Sequence, residues 1–198
     1  MHRLAFNGEG VILDACCVIN LCASLCTKRI LSSIPVRVHV ADYVMSNEGL
    51  SVLSGPVESC AAIKEPIDLR PFVDNGEIEV VSLDGEKELD TFLYFASEVD
   101  DGEAITGAIA YHRRLAIATD DVKATKLFNR EAPEIQVIST PELLRHWADN
   151  DNASFQDISA ALRNIRFRAR YAPEETHVSY RWWVQMEDQR TATASMPR

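Results

Sequence analysis

Three acidic residues stand directly after apolar stretches of the sequence, where a β-strand would end. Asp14 follows the segment Val11-Ile12-Leu13, and the Asp120-Asp121 pair follows Leu115-Ala116-Ile117-Ala118-Thr119. Carboxylates that a fold brings together repel one another unless a cation or a proton lies between them. If these strand ends meet, a divalent metal ion is the simplest compensation.

Two glutamates are further candidates for the same site, and each also has an ordinary structural interpretation. Glu103 lies in the first turn of a predicted helix, where acids are common because they interact well with the helix macrodipole. Glu48 follows a second predicted strand and would otherwise be a solvated helix residue. Asp121 is equally suited to be the N-cap of its helix, which would leave Asp120 as the ligand, or the two roles could be reversed.

The elements that would position these acids alternate between strands and helices. Apolar and β-branched runs predict strands at residues 11–14, 36–40, 78–83, 115–119 and 136–138. Helical spacing predicts helices at residues 18–25, 42–53, 88–99, 103–114, 122–129, 141–149 (with Thr140 as N-cap) and 154–170. This alternation implies an α/β fold with a mostly parallel sheet and helices on both faces. In such sheets ligands gather beyond the carboxyl ends of the strands, where these aspartates stand.

The composition is typical of a globular protein made and kept inside the cell. The 198 residues suit one domain with an extension or two small domains. No apolar run approaches the roughly 18 residues that cross a bilayer, and the first residues lack a hydrophobic signal region. We therefore expect a cytoplasmic protein without membrane contact.

Five cysteines form an odd set: Cys16, Cys17, Cys22, Cys26 and Cys60. Four of them lie along one amphipathic stretch, as small core residues would. A zinc site is disfavoured because no second Cys or His pair stands at a typical ligand spacing, so reduced thiols are expected.

The net charge of −10 argues against binding nucleic acid by overall attraction. The charge is uneven, however. From Ala160 to the end, seven arginines against four acids give +3, so the rest of the chain carries −13. The sequence therefore predicts an acidic body with a basic C-terminal tail.

The segments VILDACCVINL, DDGEAITGAIA and LAIATDD stand in this order between about residues 11 and 138, and together they resemble the PIN-domain family. VILDACCVINL looks like its opening strand that ends in an Asp, and DDGEAITGAIA is similar to its Asp-x-Gly-Glu-Ala segment at the start of an alanine-rich helix. LAIATDD resembles its later strand ending in Thr-x-Asp or Asp-Asp. Each pattern alone is common by chance, so the ordered set carries the resemblance.

The resemblance implies a PIN-like fold in residues 1–140, a central mostly parallel sheet flanked by helices, followed by a C-terminal helical and basic extension in residues 141–198. It implies an acidic site for Mg²⁺ or Mn²⁺ with the catalytic residues Asp14, Glu48, Glu103, Asp120 and Asp121, all but Glu48 as metal ligands. The implied activity is that of a VapC-type, metal-dependent endoribonuclease that hydrolyses RNA phosphodiester bonds, as the toxin of a toxin–antitoxin pair. The expected partners are an RNA substrate, an antitoxin protein and a second copy of the chain.

Other function classes fit these residues less well. A catalytically inactive PIN-like scaffold that binds RNA or a protein is the main alternative. A metal-dependent phosphatase is disfavoured because Asp14 is followed by Ala15 and Cys16 rather than by a second Asp of an Asp-x-Asp motif. Nucleotide-driven and NAD-linked enzymes are excluded because the chain lacks both a Walker loop and a G-x-G-x-x-G fingerprint.

The C-terminal extension interleaves arginines with aromatic residues: Arg163, Arg166, Arg168, Arg170, Tyr171, Tyr180, Trp182 and Trp183. Such residues could contact phosphates and stack on unpaired bases. The favoured interpretation is that the two tryptophans cover the core or a dimer interface and that the arginines form a solvated helix face.

Overall fold

The computed structural model describes residues 4–54 and 63–188. In chain order its elements are β1 (Gly10–Leu13), α1 (Ala15–Ala23), α2 (Thr27–Ser33), β2 (Arg37–Ala41), α3 (Asp42–Asn47), β3 (Ser51–Ser54), β4 (Ile63–Pro66), α4 (Arg70–Asp74), β5 (Glu79–Val81), α5 (Gly85–Phe95), α6 (Asp101–Arg113), β6 (Ala116–Ala118), α7 (Val122–Glu131), β7 (Val137–Ile138), α8 (Thr140–Asn150), α9 (Phe155–Arg168) and α10 (Tyr180–Glu187). Cys60, Arg190 and Arg198 lie outside the described residues.

Five strands form a central sheet in the order β5-β2-β1-β6-β7, and every neighbouring pair in it is parallel. The prediction of an α/β fold with a parallel sheet flanked by helices is confirmed. β1 lies in the middle and all four of its residues are buried. Its continuous apolar run is what a strand covered on both faces requires.

Helix α6 packs closely against its neighbours because small residues dominate it. From Ala104 to Ala110 every residue is buried. A Cβ at Gly107 would collide with the ring of Phe128, so glycine here allows α7 to approach α6. This close packing brings the first turn of α6 towards the strand ends that carry the aspartates.

Two predicted elements differ from the structure. The helix expected over residues 42–53 ends at Asn47, because Gly49 has a positive φ of 56° and residues 51–54 pair as β3 with the antiparallel β4. Thr140 is not the N-cap of α8. Ser139 caps it instead in a capping box with Glu142, and Thr140 is the first helical residue.

The helices after residue 140 share the hydrophobic core of the sheet. Trp147 from α8, Leu162 from α9 and Trp183 from α10 are all fully buried in the core that also contains Ile12. Trp183 thus covers the core, while Trp182 is partly buried. A domain boundary near residue 140 stays a prediction.

The arginines of α9 are held mainly by acids and hydroxyls of the protein. Arg166 pairs with Glu187, Arg168 with Glu65, and Arg163 donates to the hydroxyl of Ser159.

In residues 4–54 and 63–188 no single helix is long and apolar enough to cross a membrane. Helices α1 and α2 reach that length and apolarity only when taken together, and they are bent by 120° at the break between them.

Candidate metal centre

The candidate site lies where the strand order reverses. From β1 the chain continues to β2 and β5 on one side of the sheet, then returns to β6 and β7 on the other. Such a switch point opens a crevice at the carboxyl ends of the two central strands. Asp14 follows β1 and the segment 119–121 follows β6, and the N–H of Asp14 donates to the carbonyl of Ala118 across the gap at 2.9 Å.

Asp14 is held in a fixed orientation at the bottom of this crevice. It is only 3% exposed. As N-cap of α1 it accepts from the Ala15 N–H at 2.8 Å, and its Oδ2 accepts from the hydroxyl of Thr119 at 3.0 Å and from the thiol of Cys16 at 3.3 Å. Burial raises its pKa most, and the charge of Asp121 raises it further, against the opposing hydrogen bonds.

Thr119 links the ends of β1 and β6. Its hydroxyl donates to Asp14 and accepts the N–H of Asp121 at 3.2 Å. Asp121 is also the N-cap of α7, because its Oδ1 accepts the N–H of Ala124 at 2.7 Å. Its negative charge nonetheless acts on Asp14 and Glu103, raising the pKa of both. Asp121 therefore combines the capping role with a place in the site.

Glu103 and Glu48 complete the group. The Oε2 of Glu103 accepts the N–H of Asp100 at 3.0 Å in the capping box of α6. Burial raises the pKa of Glu103 to about 7, helped by the charges of Asp121 and Asp14. Glu48 follows α3, and burial, then the charges of Asp14, Asp100 and Asp101, raise its pKa.

Gly102 makes room for the side chain of Glu48. A Cβ at position 102 would collide with Oε1 of Glu48. The glycine of the Asp-Gly-Glu-Ala segment therefore lets Glu48 reach the first turn of α6, next to Glu103.

We call Asp14, Glu48, Glu103 and Asp121 the acidic pocket. Among the described residues, none of these four forms an ion pair with a lysine, arginine or histidine. Their negative charges act on one another without a protein cation in contact, and a divalent cation would relieve that repulsion.

Asp120 faces a different part of the molecule. Its Oδ1 accepts from the N–H of Thr140 at 2.9 Å and the hydroxyl of Tyr171 at 2.8 Å, and its Oδ2 accepts from the amide of Asn20 at 2.8 Å and the hydroxyl of Thr140. We call these four residues the Asp120 network. Both oxygens already have protein donors, so Asp120 ties α1, α8 and the segment after α9 to the end of β6.

Cys16, Cys17 and Asp120 form a separate group in which one ligand atom of each lies within 4.8 Å of the others, close enough to hold a metal ion. Among the described residues, no three acids of the acidic pocket are this close to one another. The group with the two cysteines was not predicted from the sequence. The buried thiol of Cys17 has a pKa well above its usual range, mainly because of burial, which opposes the thiolate form that binds metals. Thiolate ligands suit softer ions than Mg²⁺. Cys16, Cys17, Cys22 and Cys26 are all free.

Several residues that shape the site were missed by sequence reasoning: Asn20, Gly102, Thr119, Thr140 and Tyr171. Asn20 offered a signal, because it is a polar residue on the otherwise apolar buried face of α1. The partner that satisfies it lies about a hundred residues away, so its role required the fold.

Comparisons with protein-family models, with curated proteins and with solved structures gave no match to this chain.

Proposed function

We propose that this protein is a metal-dependent endoribonuclease of PIN-domain type that hydrolyses RNA phosphodiester bonds. One observation carries the proposal: four carboxylates lie around the switch point of a parallel sheet, burial and the negative charges of neighbouring acids raise the pKa of three of them, and no described cation pairs with any. Such an arrangement costs stability unless a ligand compensates it.

The donor set fits Mg²⁺ or Mn²⁺. These ions prefer oxygen ligands and usually bind through one or a few carboxylates while keeping several waters. Asp14, Glu103 and Asp121 would hold the metal, with Glu48 next to them. We assign Asp121 rather than Asp120, because the charge of Asp121 acts on Asp14 and Glu103, whereas each oxygen of Asp120 accepts at least two hydrogen bonds from other parts of the protein. The bound ion would activate water and neutralise charge on the phosphate.

The protein groups have distinct tasks in this proposal. Thr119 orients the carboxylate of Asp14 through its hydroxyl. Glu103 has a pKa of about 7 without metal, so near neutral pH it would release a proton when a cation binds. Gly102 keeps the path of the Glu48 carboxylate open.

A toxin role within a toxin–antitoxin pair is part of the proposal. It places the protein in the cytoplasm with its RNA substrate, with an antitoxin that covers the acidic pocket and a second copy of the chain as partners. Expression alone should then slow growth, and an Asp121→Asn variant should not. Normal growth with active parent protein would refute the toxin role, and a monomer in sedimentation would refute the dimer.

The test is cleavage of a mixed-sequence single-stranded RNA with Mg²⁺ or Mn²⁺. The parent is compared with Asp14→Asn and Glu103→Gln, and with Asp90→Asn as matched control, since Asp90 is an exposed acid of α5. Cleavage that needs metal, is lost in both pocket variants and persists in Asp90→Asn is the expected result. Absence of cleavage, with Mn²⁺ still bound by the parent, would favour a scaffold that binds without cutting.

A further inference from the structure

A cleft of about 590 Å³ opens beside the acidic pocket, on the far side of the β6 end. One wall is a face of α7, and the opposite wall is the segment from Tyr171 to His177, which follows α9. Its volume lies within the usual range of small-ligand sites, about 300 to 1,000 Å³. We call it the α7 cleft. Its position matters because Asp121 caps the same helix and belongs to the acidic pocket.

The α7 wall carries polar side chains that have no partner among the residues that the structure describes. Val122, Thr125, Lys126 and Asn129 recur at positions that share one helix face. The side chains of Thr125, Lys126 and Asn129 make no hydrogen bond or ion pair in the part of the chain that the structure describes. A hydroxyl, an ammonium and an amide therefore face the cleft free to bind a ligand.

The opposite wall is already held in place. The hydroxyl of Tyr171 donates to Asp120, and its ring packs edge-on against Trp183 with centroids 6.0 Å apart. Nδ1 of His177 accepts the N–H of Ser179 at 3.0 Å, so its Nε2–H donates to the hydroxyl of Ser139 at 3.0 Å. A wall fixed in this way needs little ordering when a ligand binds.

The acids that line the cleft are mostly satisfied within the protein. Asp120 accepts five hydrogen bonds, and Oε2 of Glu142 accepts from the N–H and the hydroxyl of Ser139. Glu174 remains exposed. The cleft therefore suits a polar ligand with one anionic group at Lys126.

We propose that the α7 cleft receives one nucleotide of single-stranded RNA, next to the phosphodiester bond that the acidic pocket cuts. The ammonium of Lys126 contacts the phosphate, and Thr125 and Asn129 hydrogen-bond the base. This inference rests on the proposed ribonuclease function. In this proposal the phosphate is bound by a residue of α7 and not by the arginines of α9, since two of those arginines already pair with Glu187 and Glu65.

The test measures binding of a fluorescent mixed-sequence RNA of ten nucleotides by anisotropy, with chelator present so that no cutting occurs. Lys126→Glu is compared with Lys123→Glu, an equal charge change at an exposed lysine of the same helix that does not line the cleft. We expect Lys126→Glu to weaken binding about tenfold or more and to lower the salt dependence by about one counterion, while Lys123→Glu has less than a threefold effect. Circular dichroism checks that both variants fold.

Other results separate the two proposals. If the parent cuts RNA and both lysine variants bind and cut alike, the cleft assignment is wrong and the nuclease proposal stands. If the parent cuts nothing but Lys126→Glu alone loses RNA binding, the cleft assignment stands without the nuclease. Equal binding of a DNA of the same sequence would overturn the restriction to RNA, and no RNA binding by the parent would overturn the cleft assignment.

Discussion

Asp120 and Asp121 are neighbours in the chain, yet they belong to opposite kinds of environment. Asp120 receives hydrogen bonds from three residues of the Asp120 network and links distant elements. Asp121 accepts one backbone N–H as a cap and otherwise faces the like charges of the acidic pocket. The comparison teaches that one of these carboxylates links elements of the fold through hydrogen bonds, while the next belongs to a group of like charges that a cation would stabilise.

Removing the charge of Asp121 should have the largest effect on activity. In Asp121→Asn the helix cap is preserved, because Asn caps helices as well as Asp does. We expect RNA cleavage to fall about 1,000-fold, or about 4 kcal/mol of transition-state stabilisation. The free energy of unfolding should stay within about 0.5 kcal/mol of the parent or rise, since a repulsion is relieved. Unchanged cleavage would mean that Asp121 is only a cap.

Removing the carboxylate of Asp120 should lower the stability of the fold, in contrast to the loss of activity expected at Asp121. Asp120→Ala leaves the donors of Asn20, Thr140 and Tyr171 without their acceptor, so we expect about 3 kcal/mol lower stability in urea unfolding. Tyr171→Phe removes one donor alone and should cost about 1 kcal/mol. If Asp120→Ala unfolds like the parent but loses Mn²⁺ binding, the division between the two aspartates is wrong.

Glu103 should make the pocket sensitive to pH. Its pKa rises from 4.5 to about 7 on folding, so between these values the folded state binds more protons than the unfolded state. The free energy of unfolding should therefore fall as pH rises through this window and level off above it. Allowing for solvent screening, the change is about 1 to 2 kcal/mol.

The check on this slope is thermal unfolding in a pH series. Glu103→Gln and saturating Mg²⁺ should each flatten the slope, whereas Asp90→Asn should keep it. A slope that survives in Glu103→Gln would assign the protons to another group.

Gly102→Ala should have the smallest effect of these substitutions, a modest loss of Mn²⁺ affinity. The new methyl group would displace the carboxylate of Glu48, so we expect Mn²⁺ affinity to fall about fivefold, or about 1 kcal/mol. On a Glu48→Gln background the same substitution should not alter Mn²⁺ affinity. An equal loss in both backgrounds would show that Gly102 acts on something other than Glu48.

Strand-end acids and apolar runs were enough to predict the parallel sheet and the places of Asp14 and the Asp120-Asp121 pair. This succeeded because both signals are local: a buried strand needs consecutive apolar residues, and the residue after it lies at the sheet edge. Glu48 was placed in the site by resemblance, and its contact with Gly102 supplies a physical reason for that placement.

The division between Asp120 and Asp121 was not predictable, because it depends on donors distant in sequence. Tyr171 and Thr140 donate hydrogen bonds to Asp120, and they can do so only after α8 and the segment following α9 have packed. The β3–β4 pair was not predicted because a single glycine, Gly49, ends α3 early. Helix α10 was not predicted because the apolar residues in that part of the sequence show only weak helical spacing.

The four acids of the pocket come from four separate stretches of the chain, and the first and last are joined only when β1 pairs with β6. That pairing is a long-range event, which makes it one of the slower steps of folding. A ribosome-bound chain that ends before Asp121 has no complete pocket, whatever local structure it has formed. If the protein is the ribonuclease proposed above, its synthesis would therefore be free of RNA cleavage by the nascent chain until the central sheet is closed.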